Sequence, residues 1–231
     1  MGTSSYQHML DYQQWWRMLN LRYTQRGVTL IELVIGLVII SLVMGFGAPS
    51  FSGWIQNAKI STAAEATQNG LQLARAEAVR RNTQVRFQFT TTANNTCALS
   101  ATGTNWVVSL NDPTGLCNTP PQDPPVPPAL PVAGSPYIIQ ARSATEGSSN
   151  VAVAITPTTT TTIVFNGLGR VTPVPASNSI IDFSSTSGSS CAATGGTLRC
   201  QRVVVSRAGQ IFMCDPAVTA LANPNDPRLC P

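Results

Sequence analysis

From Val28 to Ala48 the chain reads V-T-L-I-E-L-V-I-G-L-V-I-I-S-L-V-M-G-F-G-A, 21 residues interrupted by one charge, Glu32. At ~1.5 Å per residue an α-helix of that length spans ~31 Å, close to the ~30 Å hydrocarbon core of a bilayer. Residues 28–48 are therefore expected to form a transmembrane helix. The preceding stretch carries Arg17, Arg22 and Arg26 against a single acid, Asp11. That cationic bias predicts a cytoplasmic N-terminus, with the bulk of the chain on the far side of the membrane.

All six cysteines, Cys97, Cys117, Cys191, Cys200, Cys214 and Cys230, follow the apolar run. An even number confined to one side of a membrane segment points to disulfides made in an oxidising compartment, the bacterial periplasm. Six cysteines allow fifteen connectivities, and sequence does not choose among them. Nearest-neighbour closure, 97 with 117, 191 with 200 and 214 with 230, is the working expectation; reduced, buried thiols are the alternative. No C-x-x-C occurs, and the one histidine, His8, lies far from every cysteine. Neither a metal site nor a cofactor is expected.

Charged residues make up 10% of the chain, against ~25% in an ordinary soluble domain. Gly, Pro, Ser, Thr and Ala replace them, a profile of β-rich, loop-rich secreted domains. The 231 residues suffice for one moderate domain with an appended element. If residues 1–27 are removed, no histidine remains, which excludes triad chemistry and histidine acid–base catalysis. The nine remaining acids are scattered without a paired-carboxylate motif. No enzymatic activity is expected.

A conventional signal peptide would be cut after its apolar core, at a small-residue site. G-F-G-A-P at 45–49 is a poor version, because proline follows Ala48. The other position lies ahead of the run, between Gly27 and Val28. Residues 26–33, R-G-V-T-L-I-E-L, resemble the type IV prepilin signal: a basic residue and glycine, then an apolar stretch with glutamate at its fifth position. The resemblance implies that prepilin peptidase cleaves after Gly27 and methylates Val28 as the new terminus, with Glu32 as the signature acid. Val28 replaces the phenylalanine usual there. Residues 1–27 are then a leader, and an internal start at Met18 would give a shorter one, M-L-N-L-R-Y-T-Q-R-G. A carboxylate in hydrocarbon costs at least ~2.5 kcal/mol, so Glu32 calls for neutralisation or a cation. The freed Val28 amine, four residues away, supplies one, best from a neighbouring protomer, and such a pair would set assembly register.

Pro49 follows the run and is expected to kink the helix without ending it. Phe51, Trp54, Ile55, Ala58, Ala63, Ala66, Leu71, Ala74 and Ala78 recur at three- and four-residue spacing, which predicts an amphipathic helix over 49–82 whose small face packs on a sheet. Gly70 weakens it locally. Past Asn82 the period becomes two. Strands are expected at 84–90, 96–100, 106–110, 137–141, 151–155, 161–165, 180–183 and 201–205, with a return at 210–214. Turns are expected at Asn94-Asn95, Gly167–Gly169, Gly195-Gly196 and Ala208-Gly209. Eight prolines at 120–136 predict a stiff, exposed loop over 118–136. The threonine run at 158–162 reads as an edge strand. The fold class is α+β: a long N-terminal helix on a β-rich, two-sheet periplasmic head spanning 83–231.

Residues 58–82, Trp106-Val107-Val108, V-F-N-G-L-G-R at 164–170 and the closing S-R-A-G-Q-I-F-M-C-D-P are similar to the GspH/FimT group of minor pilins and pseudopilins. Membership implies a subunit near the tip of a type IV pilus or a type II secretion pseudopilus, partnered by other pilins through the helix. Some FimT proteins are linked to DNA uptake through a G-R-x-R element in the terminal hairpin. The matching residues here are Gly209-Gln210-Ile211-Phe212, with both arginines lost. Arg199, Arg202 and Arg207 lie nearby in the chain and are the candidates to compensate. Phosphate binding needs cations, and without residues 1–27 there are eleven basic and nine acidic residues. Nucleic acid is a less favoured partner, and an adhesin reading rests only on the Pro-rich loop.

Overall fold

The computed structural model describes residues 27–124, 133–158, 160–221 and 224–231, with backbone alone for 46–50. The leader, with its alternative start at Met18, and the centre of the Pro-rich loop lie outside the described residues. The chain divides between Ala48 and Pro49 into two units, and helix α1 (Leu30–Arg81) contributes to both.

The second unit carries eight strands in two antiparallel sheets. The first sheet has the order β3-β2-β1-β5, built from β1 (Val85–Thr90), β2 (Asn105–Ser109), β3 (Ile138–Arg142) and β5 (Thr162–Phe165). The second has the order β4-β6-β7-β8, built from β4 (Val151–Thr156), β6 (Ser179–Ser185), β7 (Gln201–Val205) and β8 (Ile211–Cys214). The architecture is α+β, a helix on a two-sheet head.

Period-two alternation decides what each strand buries. Val85, Phe87 and Phe89 of β1 and Trp106 and Val108 of β2 enter the main core. Val153 and Ile155 of β4, Ile181 and Phe183 of β6, and Val203 and Val205 of β7 meet them there. Phe87 sits 5.0 Å from Phe89 edge-to-face and 5.4 Å from Trp106, arrangements that aromatic quadrupoles favour. Val107 points to the opposite side of β2, where it joins Ile138 and the Cys97–Cys117 bridge in a smaller cluster.

The helix meets this core through Ile60, Ala63, Ala64, Leu71, Ala74 and Ala78. Small side chains bring its backbone close to the aromatics of β1 and β2, and Gly70 brings it closest. The helix ends in a Schellman motif. Asn82 takes the left-handed conformation at φ 47°, its N–H donates to Val79 O, and the Thr83 N–H donates to Ala78 O.

Three sequence expectations fail. The residues predicted to share a face from Phe51 onward fall on two: Phe51, Trp54, Ile55 and Ala58 are exposed, while Ile60, Ala63, Ala64, Leu71, Ala74 and Ala78 are buried on the other side of the helix. The step from Ala58 to Ala63 is five residues, about 500° of helix, which breaks the three- and four-residue spacing. The strand expected at 96–100 is absent. Asn94 Oδ1 accepts from the Thr96 N–H and hydroxyl, and Cys97 is tied to Cys117, which leaves one bridge, Leu99 to Thr90. Most of the threonine run also precedes its strand, since β5 begins at Thr162 at a sheet edge.

Candidate functional site

Gly27, Val28 and Thr29 are exposed and non-helical, and helix α1 starts at Leu30. Among the described residues nothing lies within 4 Å of where a Cβ on Gly27 would stand, its chain neighbours apart. Thr29 caps the helix: its Oγ1 accepts from the Glu32 N–H at 3.3 Å and its carbonyl from the Leu33 N–H at 3.1 Å. T-L-I-E is a capping-box sequence, with threonine at the cap and glutamate three residues on. Glu32 therefore answers to two patterns in the sequence, the acid of the apolar run and the third residue after a helix cap. The carboxylate also stands in the first turn, where the helix dipole favours negative charge. Among the described residues no ion pair engages Glu32.

The helix that follows exposes apolar side chains all round, from Leu30 at 83% to Met44 at 70%. The Ser41 hydroxyl is satisfied by donating to Leu37 O at 2.8 Å. A helix apolar on every face belongs inside protein or lipid. Among the described residues no helix is long and apolar enough to cross a membrane; the described side chains break off at Gly45, inside the apolar run.

In the head, the two turns singled out by sequence meet each other. Asn166 Oδ1 accepts from the Leu168 and Arg170 N–H groups and fixes the N-G-L-G-R turn. The S-R-A-G-Q turn closes through Gly209 N–H to Ser206 O and Ser206 N–H to Gln210 O. A Cβ on Gly209 would collide with Gly169 O. A Cβ on Gly169 would stand 3.1 Å from Arg75 Nε and 3.2 Å from Val79 Cγ2. A Cβ on Gly167 would press on Asn82, at the helix end. Three glycines thus let helix end, turn and hairpin stack.

The three arginines proposed as a compensating patch are not brought together. Arg202 is held by Asp182, its partner across β6 and β7, at 2.6 and 3.1 Å. Arg199 precedes β7, where its N–H donates to Asn57 Oδ1, and Arg207 follows it in the turn. Eight residues of extended chain separate those two by ~26 Å. At the helix end, Glu77 accepts from Arg80 and Arg81, and Arg81 also reaches Asp123 at the start of the Pro-rich loop. The hydrogen bond from Arg80 holds the Glu77 carboxyl below its ordinary value; burial opposes this and Arg81 reinforces it. In the tail, Arg228 beside Asp226 lowers that carboxyl to about 2.

Three disulfides join Cys97–Cys117, Cys191–Cys200 and Cys214–Cys230, the nearest-neighbour pairs. Loops of this size are each stabilised by ~3 kcal/mol in the chain-entropy account. The last bridge ties the tail to β8. Among the described residues no three His, Cys, Asp or Glu side chains converge as metal ligands.

Residues 63–209 match the family model of the type II transport protein GspH. The chain belongs to the GspH family. The match ends at Gly209, the residue packed on the N-G-L-G-R turn. Residues 22–48 match the prokaryotic N-terminal methylation motif, which spans the Gly27–Val28 bond, Glu32 and the apolar run. Two crystal structures of the type IV minor pilin FimU of Pseudomonas aeruginosa are similar to this GspH-family chain. One is 14% identical, with 67% of this chain and 87% of that one covered and a TM-score of 0.43. The other is 15% identical, with 66% and 90% covered and a TM-score of 0.41. No curated protein matches the sequence.

Proposed function

We propose that this chain is a non-enzymatic minor pilin or pseudopilin, cleaved after Gly27 by prepilin peptidase and methylated on the Val28 amine. Residues 28–48 hold it in the inner membrane as a single pass, with the N-terminus cytoplasmic and the head periplasmic. From there it assembles through the helix with other pilins, at the initiating tip of a type IV pilus or a type II secretion pseudopilus. The observation that carries this reading is the methylation motif over 22–48 leading into a helix whose apolar side chains are exposed on every face. That surface needs lipid first and neighbouring helices afterwards. Glu32 then pairs with the Val28 amine of an adjoining protomer and fixes the axial register, while Pro49 allows the helix to bend between the membrane run and the head.

Mass spectrometry of the protein recovered from native membranes tests this directly. A methylated valine at position 28 is expected. A different terminus, or a chain cut beyond the apolar run, overturns the reading. A deletion strain scored for surface pili, protein export and transformation assigns the apparatus. The alternative, a DNA-binding minor pilin, draws less support, because Arg202 is engaged by Asp182 and Gln210 and Phe212 replace the arginines of the hairpin element.

A further inference from the structure

Phe51, Trp54 and Ile55 lie on one face of α1, at i, i+3 and i+4. They are 63%, 65% and 40% exposed, and the Phe51 and Trp54 rings stand 5.7 Å apart. The helix residues that the head's sheets bury, Ile60, Ala63, Ala64, Leu71, Ala74 and Ala78, lie on the other side of α1, since Phe51 to Ile60 is about two and a half turns. Elsewhere in the described head the most exposed large apolar side chains, Leu168, Val174 and Leu221, are on separate turns and loops, and Phe212 and Met213 of β8 are only 41% and 36% exposed. Two neighbouring polar side chains of the same helix are turned to the head, Asn57 to the Arg199 N–H and Lys59 to Ser149, while Gln56 donates to Ser52 within the helix and leaves its Oε1 buried without a partner among the described residues.

We infer that Phe51, Trp54 and Ile55 form an interfacial anchor seated in the headgroup layer of the outer leaflet. The inference rests on residues 28–48 being the membrane span. Phe51 follows Ala48 by three residues and Trp54 by six, ~4.5 and ~9 Å of helix. The headgroup layer is ~5–7 Å deep on each side of the hydrocarbon. Helical side chains lean toward the N-terminus, which brings the indole back from ~9 Å into that layer. Phe51, without a polar atom, sits at the hydrocarbon edge, and Trp54 places its N–H among headgroups, the position tryptophan prefers at membrane boundaries. A protein partner is the competing occupant. Lipid is favoured because the patch follows the end of the apolar run within two turns of the same helix, on the side turned away from the residues that the head's sheets bury. The anchor fixes how deep the helix waits before a filament takes it up.

The chain carries its own reporter. Its four tryptophans are Trp15, Trp16, Trp54 and Trp106, and Trp106 is only 2% exposed, inside the core. The full chain with Trp15→Phe and Trp16→Phe is reconstituted into phosphatidylethanolamine–phosphatidylglycerol vesicles. These contain phosphatidylcholine brominated either near the acyl carbonyl or near the chain end. Co-flotation with vesicles and stronger quenching by the shallow bromines are expected, with Trp54→Phe removing more than half of the quenchable emission. A chain that floats but shows no bromine quenching overturns the anchor while leaving the membrane span intact, whether Trp54 is then open to acrylamide or covered by protein. Stronger quenching by the deep bromines also overturns it. A chain that fails to float removes the membrane span and this inference together.

Discussion

A methyl group on Gly70 would stand 2.8 Å from Phe87 Cε2 and 2.9 Å from Trp106 Cη2. Neither ring has room to retreat, since Phe87 is fully buried and Trp106 nearly so. Gly70→Ala gains ~1 kcal/mol of helix propensity and incurs overpacking worth ~1–3 kcal/mol. A net loss of ~1 kcal/mol is therefore expected, read as a lower denaturant midpoint at unchanged slope for the chain in detergent. An unchanged or higher midpoint would show that the aromatic cluster yields. Sequence marks this glycine only as a weak point of the helix, because the rings that require it arrive from β1 and β2. Thr29 is the opposite case. Its cap is legible in four letters, T-x-x-E, because both partners are local in the chain.

At the scale of elements, strand positions are readable where one face is buried, as in β4, whose V-A-V-A-I-T buries Val151, Val153 and Ile155 alternately at the expected place; β7 also falls at the expected 201–205, though its three valines are all buried. The strand expected at 96–100 was lost to side-chain bonds from Asn94 and to a disulfide, neither of which leaves a period in the sequence. The end of α1 was legible near Asn82, but the clamp beneath it was not. Glu77, with its side chain 16% exposed, binds Arg80 and Arg81, and Arg81 extends to Asp123. The folded chain holds the Glu77 carboxyl below its ordinary value of 4.5, chiefly through Arg80. A depressed carboxylate stabilises the fold above its unfolded pKa, and that contribution disappears as pH falls through the folded value. Glu77→Gln should therefore destabilise at neutral pH by up to ~1 kcal/mol, the scale of partly exposed ion pairs. Well below pH ~4 it should match the parent. Paired denaturation curves across that range check this, and an equal gap at both ends would assign the effect to packing.

For the whole molecule, the deciding quantity is how many cations one surface can offer together. Proximity along the chain suggested Arg199, Arg202 and Arg207, but β7 holds them apart and Asp182 neutralises one of them. The fold gathers a different set. A Cβ on Gly169 would meet Arg75, one on Gly209 would stand 3.3 Å from Arg170 Cα, and Arg207 sits two residues before Gly209. All three side chains are exposed, and none is in an ion pair among the described residues. Such a corner neutralises roughly three phosphates, which gives a slope of log K against log salt of about −3 on duplex DNA. Arg80, Arg81, Arg202 and Arg228 already face carboxylates and add little counterion release. Three contacts leave the affinity below even the weak end of the non-specific range, so a band-shift with the chain in detergent should give a Kd weaker than ~100 µM at physiological salt. A tighter complex whose salt slope flattens in Arg170→Gln would establish this corner as a nucleic-acid surface and return the chain to the DNA-capture reading.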